Sequence, residues 1–260
     1  MIDACKFKII DLDEIDSTNN QAKRLLSDGE IAPFVIIAKN QTAGRGRYSR
    51  EWKSADGNLY MSIVMQSTDF VEKQHELSFV SAIALHNVLQ VITSDLYIKW
   101  PNDIITSSLP KAAQGLNYEE YAKVAGILLE SVKYFGQNYL IIGIGVNVNS
   151  SPFVEGREVA CLSGINPSAK LSTKDLFDSI VMEFSFYYNL WFRTGFSQIR
   201  KLWLDRAFGI GATITVSDRT KSFSGVFLDI DHSGAIVIED SCGKIIRLST
   251  GEIFFGGGDE

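Results

Sequence analysis

The hydrophobic rhythm of this chain changes once, near Gly209 to Gly211, and that change limits the fold more than any other feature. Before it, apolar residues recur at helical spacing in "HELSFVSAIALHNVLQVIT", "STKDLFDSIVMEFSFYYNLWFRTG" and "SQIRKLWLDRAFG". Between these lie runs rich in branched and aromatic residues: "FVIIAKN", "NLYMSIVMQ", "LYIKW", "VAGILLESVKYF" and "QNYLIIGIGVNVN". "EIDSTNNQAKRLLSDG" reads as a helix opened by Ser17 or Thr18 and ended by Gly29. A turn at Gly136 to Asn138 would join the last two runs as a hairpin. Residues 151–171 read as irregular. From Ala212 the pattern alternates with period two in short runs broken by Asp, Gly and Ser. The expectation is a mixed α/β domain with substantial antiparallel character, followed by a small β-barrel, with the boundary near Gly209 to Gly211. Strands and helices do not alternate strictly, which disfavours a doubly wound parallel sheet.

Composition excludes several classes. The 260 residues carry a net charge of −6, so a general nucleic-acid or membrane-surface role lacks its basic face. Cys5, Cys161 and Cys242 form no CxxC pair and no metal spacing, which fits a reducing compartment. "MIDACKFKII" lacks a signal peptide's apolar run, and "YLIIGIGVNV" is shorter than the about 20 residues a membrane helix needs. These features point to the cytoplasm. There is no P-loop, no G-x-G-x-x-G opening a helix and no G-x-S-x-G elbow. His75, His86 and His232 are isolated, so zinc chemistry and histidine triads have little support.

Three constellations remain. "GRGRYSREW" places Arg45, Arg47 and Arg50 among glycines and beside Trp52. Guanidinium forks suit phosphate or carboxylate, Gly44 and Gly46 permit close approach and positive φ, and Trp52 offers a face for stacking. The same stretch also reads as a solvated basic loop with Trp52 in the core. "KWPND" delivers Asn102 and Asp103 at a strand end, for a ligand, for Mg²⁺, or simply for an Asx-turn. "KVAGILLES" sets Lys123 before Gly126 in an apolar strand, as a ligand-facing charge or a snorkelling lysine.

Taken together, "GRGRYSREW", "KWPND", "KVAGILLE" and "GIGVNVN" in this order, preceded by "DSTN", resemble the biotin protein ligases. The similarity runs over nearly the whole chain, including "GAIVIED" and "TGEI". It implies an α+β fold: a central mixed sheet flanked by helices, the class II synthetase-like ligase domain, over 1–208, and a C-terminal SH3-like β-barrel over 209–260. It also implies activation of biotin with Mg-ATP to biotinyl-5′-AMP, then transfer to a lysine of a biotin carboxyl carrier protein, such as that of acetyl-CoA carboxylase. Carried over by motif, Arg47 and Lys123 become catalytic. Ser17, Thr18, Asn19, Gln41, Gly44, Arg45 and Gly126 fall to biotin. Arg47, Arg50, Trp52, Asn102, Asp103 and Asn147 fall to ATP and the adenylate. Mg²⁺ would be held mainly by the ATP phosphates.

Three features depart from the family pattern. Tyr48 and Ser49 stand where a glycine or basic residue is usual. The segment between Asp103 and Lys123 is long, reads as a surface insertion, and makes Lys111 a rival to Lys123. No helix-turn-helix precedes the ligase motifs, so DNA binding is not expected. The oligomeric state stays open, a homodimer through a sheet edge included. Rival readings are a lipoate or octanoate ligase or transferase, and a loop that binds single-stranded RNA.

Overall fold

The computed structural model describes residues 2–3, 6–67, 71–107, 121–218 and 220–255. The first unit is built on a seven-stranded sheet in the order β1-β2-β3-β7-β6-β5-β4. Its strands are β1 (Lys8–Ile15), β2 (Phe34–Gln41), β3 (Leu59–Gln66), β4 (Tyr97–Lys99), β5 (Asp103–Thr106), β6 (Ala122–Tyr134) and β7 (Gln137–Val146). Only β1 and β2 run parallel; every other pair is antiparallel, so the sheet is mixed as expected. Two strands, β1 and β5, were not anticipated. The first carries charges at Asp11, Asp13 and Glu14, and the second has four residues, so neither shows a strong apolar run.

The helices are α1 (Thr18–Ser27), α2 (Glu76–Leu89), α3 (Leu162–Ile165), α4 (Thr173–Thr194) and α5 (Phe196–Leu204). Ser172 caps α4, accepting from Asp175 N at 3.2 Å. Gly195, at φ 74°, ends α4 and starts α5. Ser17 does occupy the N-cap of α1, but its side chain makes no capping bond there. The β6–β7 hairpin turns at Phe135 and Gly136, one residue earlier than expected. Tyr134 pairs with Gln137, and both turn residues have positive φ, 48° and 79°.

Each strand sends alternate side chains to the two faces of the sheet. On one face Val35, Ile63, Ile142 and Ile127 pack under α2, α4 and α5. On the other, Phe34, Ile36, Val64 and Ile141 pack under Ala22 and Leu26 of α1. Helix α1 is short and covers only one end of that second face. The uncovered end carries the site.

The C-terminal unit is a five-stranded antiparallel sheet in the order β11-β10-β9-β8-β12. Its strands are β8 (Thr213–Ser217), β9 (Ser222–Ile230), β10 (Ile236–Glu239), β11 (Ile245–Leu248) and β12 (Glu252–Phe255). The run "KIIRLSTGEIFF" is thus two strands, because Gly251 breaks it at φ 146°. Ile214, Phe227, Ile236 and Ile253 bury themselves in the same apolar cluster as α2, α4 and α5. Trp100 Nε1 donates to Gly234 O at 3.0 Å, and Phe79 packs where a Cβ on Gly234 would lie. The C-terminal sheet is therefore docked on the "KWPND" end of the first sheet. No helix among the described residues is long and apolar enough to cross a membrane.

Candidate active site

The floor of the site is made by missing side chains. On the α1 face, Ile36 pairs with Ser62, Ser62 with Gly143, Tyr60 with Gly145, and Gly145 with Gly126. Branched residues thus give way to serine and glycine just beyond α1. A Cβ on Gly145 would stand 2.6 Å from the Trp52 ring, and one on Gly126 3.0 Å from it. One on Gly143 would meet Asn19 Oδ1 at 2.5 Å. The glycines of "GIGVNVN" therefore seat Trp52 and Asn19 on the sheet rather than cradling phosphate by a helix.

Above this floor lies a cavity of about 510 Å³. It is lined by Ser17, Thr18, Asn19, Gln41, Arg45, Arg47, Arg50, Trp52, Asn102, Asp103, Lys123, Gly126 and Asn147. Every side chain carried over by motif except Gly44 is in this wall. At one end the groups are neutral and hydrogen-bonded. Thr18 N and Oγ1 donate to Gln41 Oε1 at 2.9 and 3.2 Å, and Gln41 Nε2 donates to Ser54 Oγ at 3.2 Å. The buried Ser62 hydroxyl lies 2.7 Å from Thr18 Oγ1 and 2.6 Å from Asn19 Oδ1.

At the other end the groups are charged. Lys123 Nζ lies 2.6 Å from Asp103 Oδ1 and 5.3 Å from the centre of the Trp52 ring. The contact with Asp103 is an ion pair without hydrogen-bond alignment, and Oδ1 stays without a hydrogen-bond partner. Lys123 reaches this face only through a β-bulge. Asp103 pairs with Gly126 and Ile104 with Ala125, but Ile105 pairs with Lys123, leaving Val124 as the extra residue. Strict alternation would have pointed Lys123 away from Gly126.

The loop 44–52 is a miniature hairpin. Trp52 N donates to Gly44 O at 2.9 Å and Gly46 N to Arg50 O at 2.8 Å. Positive φ falls on Tyr48 and Ser49, both at 60°, and not on Gly44 or Gly46 as expected. Gly44 is required instead because a Cβ would meet Trp52 O at 2.4 Å. Arg47 donates to Gly251 O at 3.2 Å, to Asn102 Oδ1 at 3.4 Å and to Tyr48 Oη at 3.1 Å. It has no carboxylate partner among the described residues, so its charge faces the cavity unneutralised. Arg45 and Arg50 are different: Arg45 pairs with Glu130, and Arg50 NH1 sits 2.8 Å from Glu252 Oε2.

Sequence reading gave no role to Glu130, Ser62, Arg157, Gly251 or Glu252. Glu130 closes the motif "KVAGILLE", which was its only signal. It accepts from Asn19 Nδ2 and Lys23 Nζ, both at 2.8 Å, and from Arg45. Burial raises its pKa, but the bonds from Lys23 and Asn19 and the charges of Lys23 and Arg45 outweigh that, so it is lowered. Lys111 and the rest of 108–120 lie outside the described residues.

Two buried polar atoms of the cavity wall lack a polar partner, Trp52 Nε1 and Asn147 Oδ1, whereas Asp103 Oδ1 has no aligned hydrogen bond but carries the ion pair with Lys123. The two without a partner are costly unless a ligand satisfies them. Among the described residues no cluster of three acidic, His or Cys side chains could hold a metal, and Asp103 is taken up by Lys123. A magnesium ion bound with ATP would need only one or two carboxylates beside the phosphates and water, so it does not depend on such a cluster.

This arrangement can be set beside known proteins. Residues 12–149 match the biotin/lipoate A/B protein ligase family, and residues 209–256 match the biotin protein ligase C-terminal domain. The chain belongs to the biotin/lipoate A/B protein ligase family. Within it, the biotin–[acetyl-CoA-carboxylase] ligase of Paracoccus denitrificans is 31% identical over 93% of this chain and 98% of its own. The bifunctional ligase/repressor BirA of Bacillus subtilis is 29% identical over 94% of this chain and 73% of its own. The biotin protein ligase of Aquifex aeolicus, solved in complex with biotin and ATP, superposes with a TM-score of 0.78 at 25% identity. That match covers 95% of this chain and 97% of the other. The mixed sheet, its helices and the C-terminal antiparallel domain are thus the architecture of this ligase family.

Proposed function

We propose that this protein is an ATP-dependent biotin protein ligase, and that the cavity over the glycine floor holds biotin and ATP end to end. The observation that carries the reading is the polarity of that one cavity. A neutral hydrogen-bonding end (Ser17, Thr18, Asn19, Gln41) suits a ureido group, a flat apolar middle suits its ring and chain, and a cationic end suits two anions. The match of residues 209–256 to a biotin ligase C-terminal domain, and relatives named as biotin ligases, support biotin over lipoate.

In this reading the biotin carboxylate oxygen attacks the α-phosphorus of ATP. The bond to the bridging oxygen breaks and pyrophosphate leaves with the electron pair. Two anions must approach, and Lys123 and Arg47 offset their repulsion and the charge that develops. Asp103 holds Lys123 in place. Trp52 Nε1 and Asn147 Oδ1 are free to bond the adenylate. The product is a mixed anhydride, which the loop 44–52 covers against water. The amine of a carrier lysine then attacks the biotinyl carbonyl and AMP leaves. No enzyme nucleophile is needed. Magnesium would arrive on the phosphates of ATP, where it neutralises charge. A carboxylase carrier domain is the partner, and the cytoplasm is the compartment, supported by the free thiols of Cys161 and Cys242.

The test is exchange of pyrophosphate into ATP by the purified protein, with biotin or lipoate as the acid. Exchange with biotin alone is expected. Exchange with lipoate alone would transfer the chain to the sister activity within the family.

A further inference from the structure

The ladder between β3 and β7 ends at the pair Leu59 and Val146. Just beyond it the chain leaves the sheet, and one side chain governs how it leaves. Asn58 directly precedes β3 and is 3% exposed. Its Oδ1 accepts from three consecutive backbone N–H groups, Val148 at 2.8 Å, Asn149 at 3.0 Å and Ser150 at 3.1 Å. Its Nδ2 donates to Ser150 O at 2.9 Å. The tie is reciprocal, because Asn149 Nδ2 donates to Gly57 O at 2.9 Å. Gly57 takes φ 80°, and a Cβ there would press on Asn149 Nδ2 at 3.1 Å.

Neither Asn58 nor the turn 148–150 lines the cavity, but the residues on both sides of that turn do. Asn147 comes before it, and Pro152, Val154, Glu155 and Arg157 come after it. The backbone of Asn147 is already committed, with N donating to Val124 O at 2.9 Å and O accepting from Leu162 N at 3.0 Å. Its Nδ2 donates to Lys123 O at 3.5 Å, and its buried Oδ1 has no partner. Three adjacent N–H groups gathered on one acceptor give the turn a single position. The clasp is thus the fixed point between two pieces of cavity wall.

We propose that Asn58 is a positioning residue for the nucleotide: by fixing the turn 148–150 it holds Asn147 Oδ1 and the wall segment 152–157 in place for the adenylate. The inference rests on the adenylation reading above. Asn58 touches no substrate and acts through the backbone of its neighbours. It serves one substrate and not the other, because the biotin end of the cavity hangs on separate bonds among Thr18, Gln41, Ser54 and Ser62.

The test uses the full chain with Asn58→Ala and Asn58→Asp. The KM for ATP and the KM for biotin are measured separately in biotin-dependent pyrophosphate exchange. Asn58→Ala leaves three N–H groups without their acceptor, so the KM for ATP should rise about tenfold. The KM for biotin should stay within about twofold, the range of a remote substitution. Asn58→Asp keeps an acceptor, now charged, before the same three donors and gives up only the bond to Ser150 O. Its KM for ATP should stay within about threefold of wild type. An unchanged KM for ATP in Asn58→Ala would overturn the proposal. So would a KM for biotin that rises in step with it, since that is general loosening, and so would an Asp variant as impaired as the Ala variant. Should Asn58→Ala not fold, Asn149→Ala removes only the bond to Gly57 O and should raise the KM for ATP alone, by about threefold. Equal KM values for ATP in that variant and wild type would overturn the role. Should wild type lack exchange, the adenylation reading itself fails, and calorimetric titration of ATP into wild type and Asn58→Ala then decides. Weaker binding in the variant would uphold the positioning role, and equal binding would end it.

Discussion

The two faces of the seven-stranded sheet come from the same strands and do opposite things. Under α2, α4 and α5 the strands present Val35, Ile63 and Ile142, all fully buried. Beyond α1, the residues that alternate with them are Ser62, Gly143, Gly145 and Gly126. One face gains stability by filling space. The other makes a binding floor by leaving space, and it relies on the first for its rigidity. Substitutions on the two faces should therefore separate into losses of chemistry and losses of stability.

The largest effect is expected at the charged end of the open face. Lys123→Ala should lower biotin-dependent exchange by about 10³-fold, the scale of removing one preorganised charge stabiliser, with the melting temperature little changed. A loss shared equally by stability would blur the contrast between faces. On the packed face, Ile142→Ala should cost about 3 kcal/mol in denaturant unfolding through lost burial and a cavity. Its kcat should stay near wild type, and a selective loss of kcat would break the division of labour.

Gly145→Val sharpens the comparison, since it adds on the open face the side chain the packed face prefers. Its Cβ would stand 2.6 Å from the Trp52 ring, which must move. Misplacing the ring by about 1 Å should cost about 10²-fold in adenylation while the protein stays folded. Full activity would show that the floor need not be bare.

The smallest effect concerns Glu130, which ties Asn19, Lys23 and Arg45 at the edge of the floor. Glu130→Gln should raise the KM for biotin about fivefold, as expected for one weakened charged contact, and should hasten tryptic cleavage in the loop 44–52. The pH dependence has a defined sign. A carboxyl lowered in the folded state stabilises fully above its ordinary value of 4.5, and the contribution is lost as pH falls through the depressed native value. Wild type should thus keep its loop protected through pH 5 and lose protection only in stronger acid, and the Gln variant should lack that acid transition. An identical acid profile in both would remove Glu130 from the anchor.

The chain's own residues settled a good deal. The period-two alternation after Ala212 and the helical spacing before it announced two units of different class, since burial periodicity is local physics. The arginine loop, "KWPND" and "KVAGILLES" supplied the charged side chains Arg45, Arg47, Arg50, Asp103 and Lys123 of the cavity wall, which stand out because they are too polar for an ordinary core. Tertiary structure decided what depends on partners remote in sequence. Glu130 and Glu252 are ordinary acids until the fold brings arginines to them. Gly44 and Gly46 looked like the pivots of the loop, yet the left-handed residues are Tyr48 and Ser49, because cross-strand pairing of Gly44 with Trp52 fixes where the hairpin must turn. Lys123 is the sharpest case. Its spacing of three from Gly126 puts the two on opposite faces of an ideal strand, and only the extra residue at Val124, forced by pairing with β5, turns the lysine onto the floor. Residue type is written in the sequence, but which face a residue serves is set by register, and register is a property of two strands together.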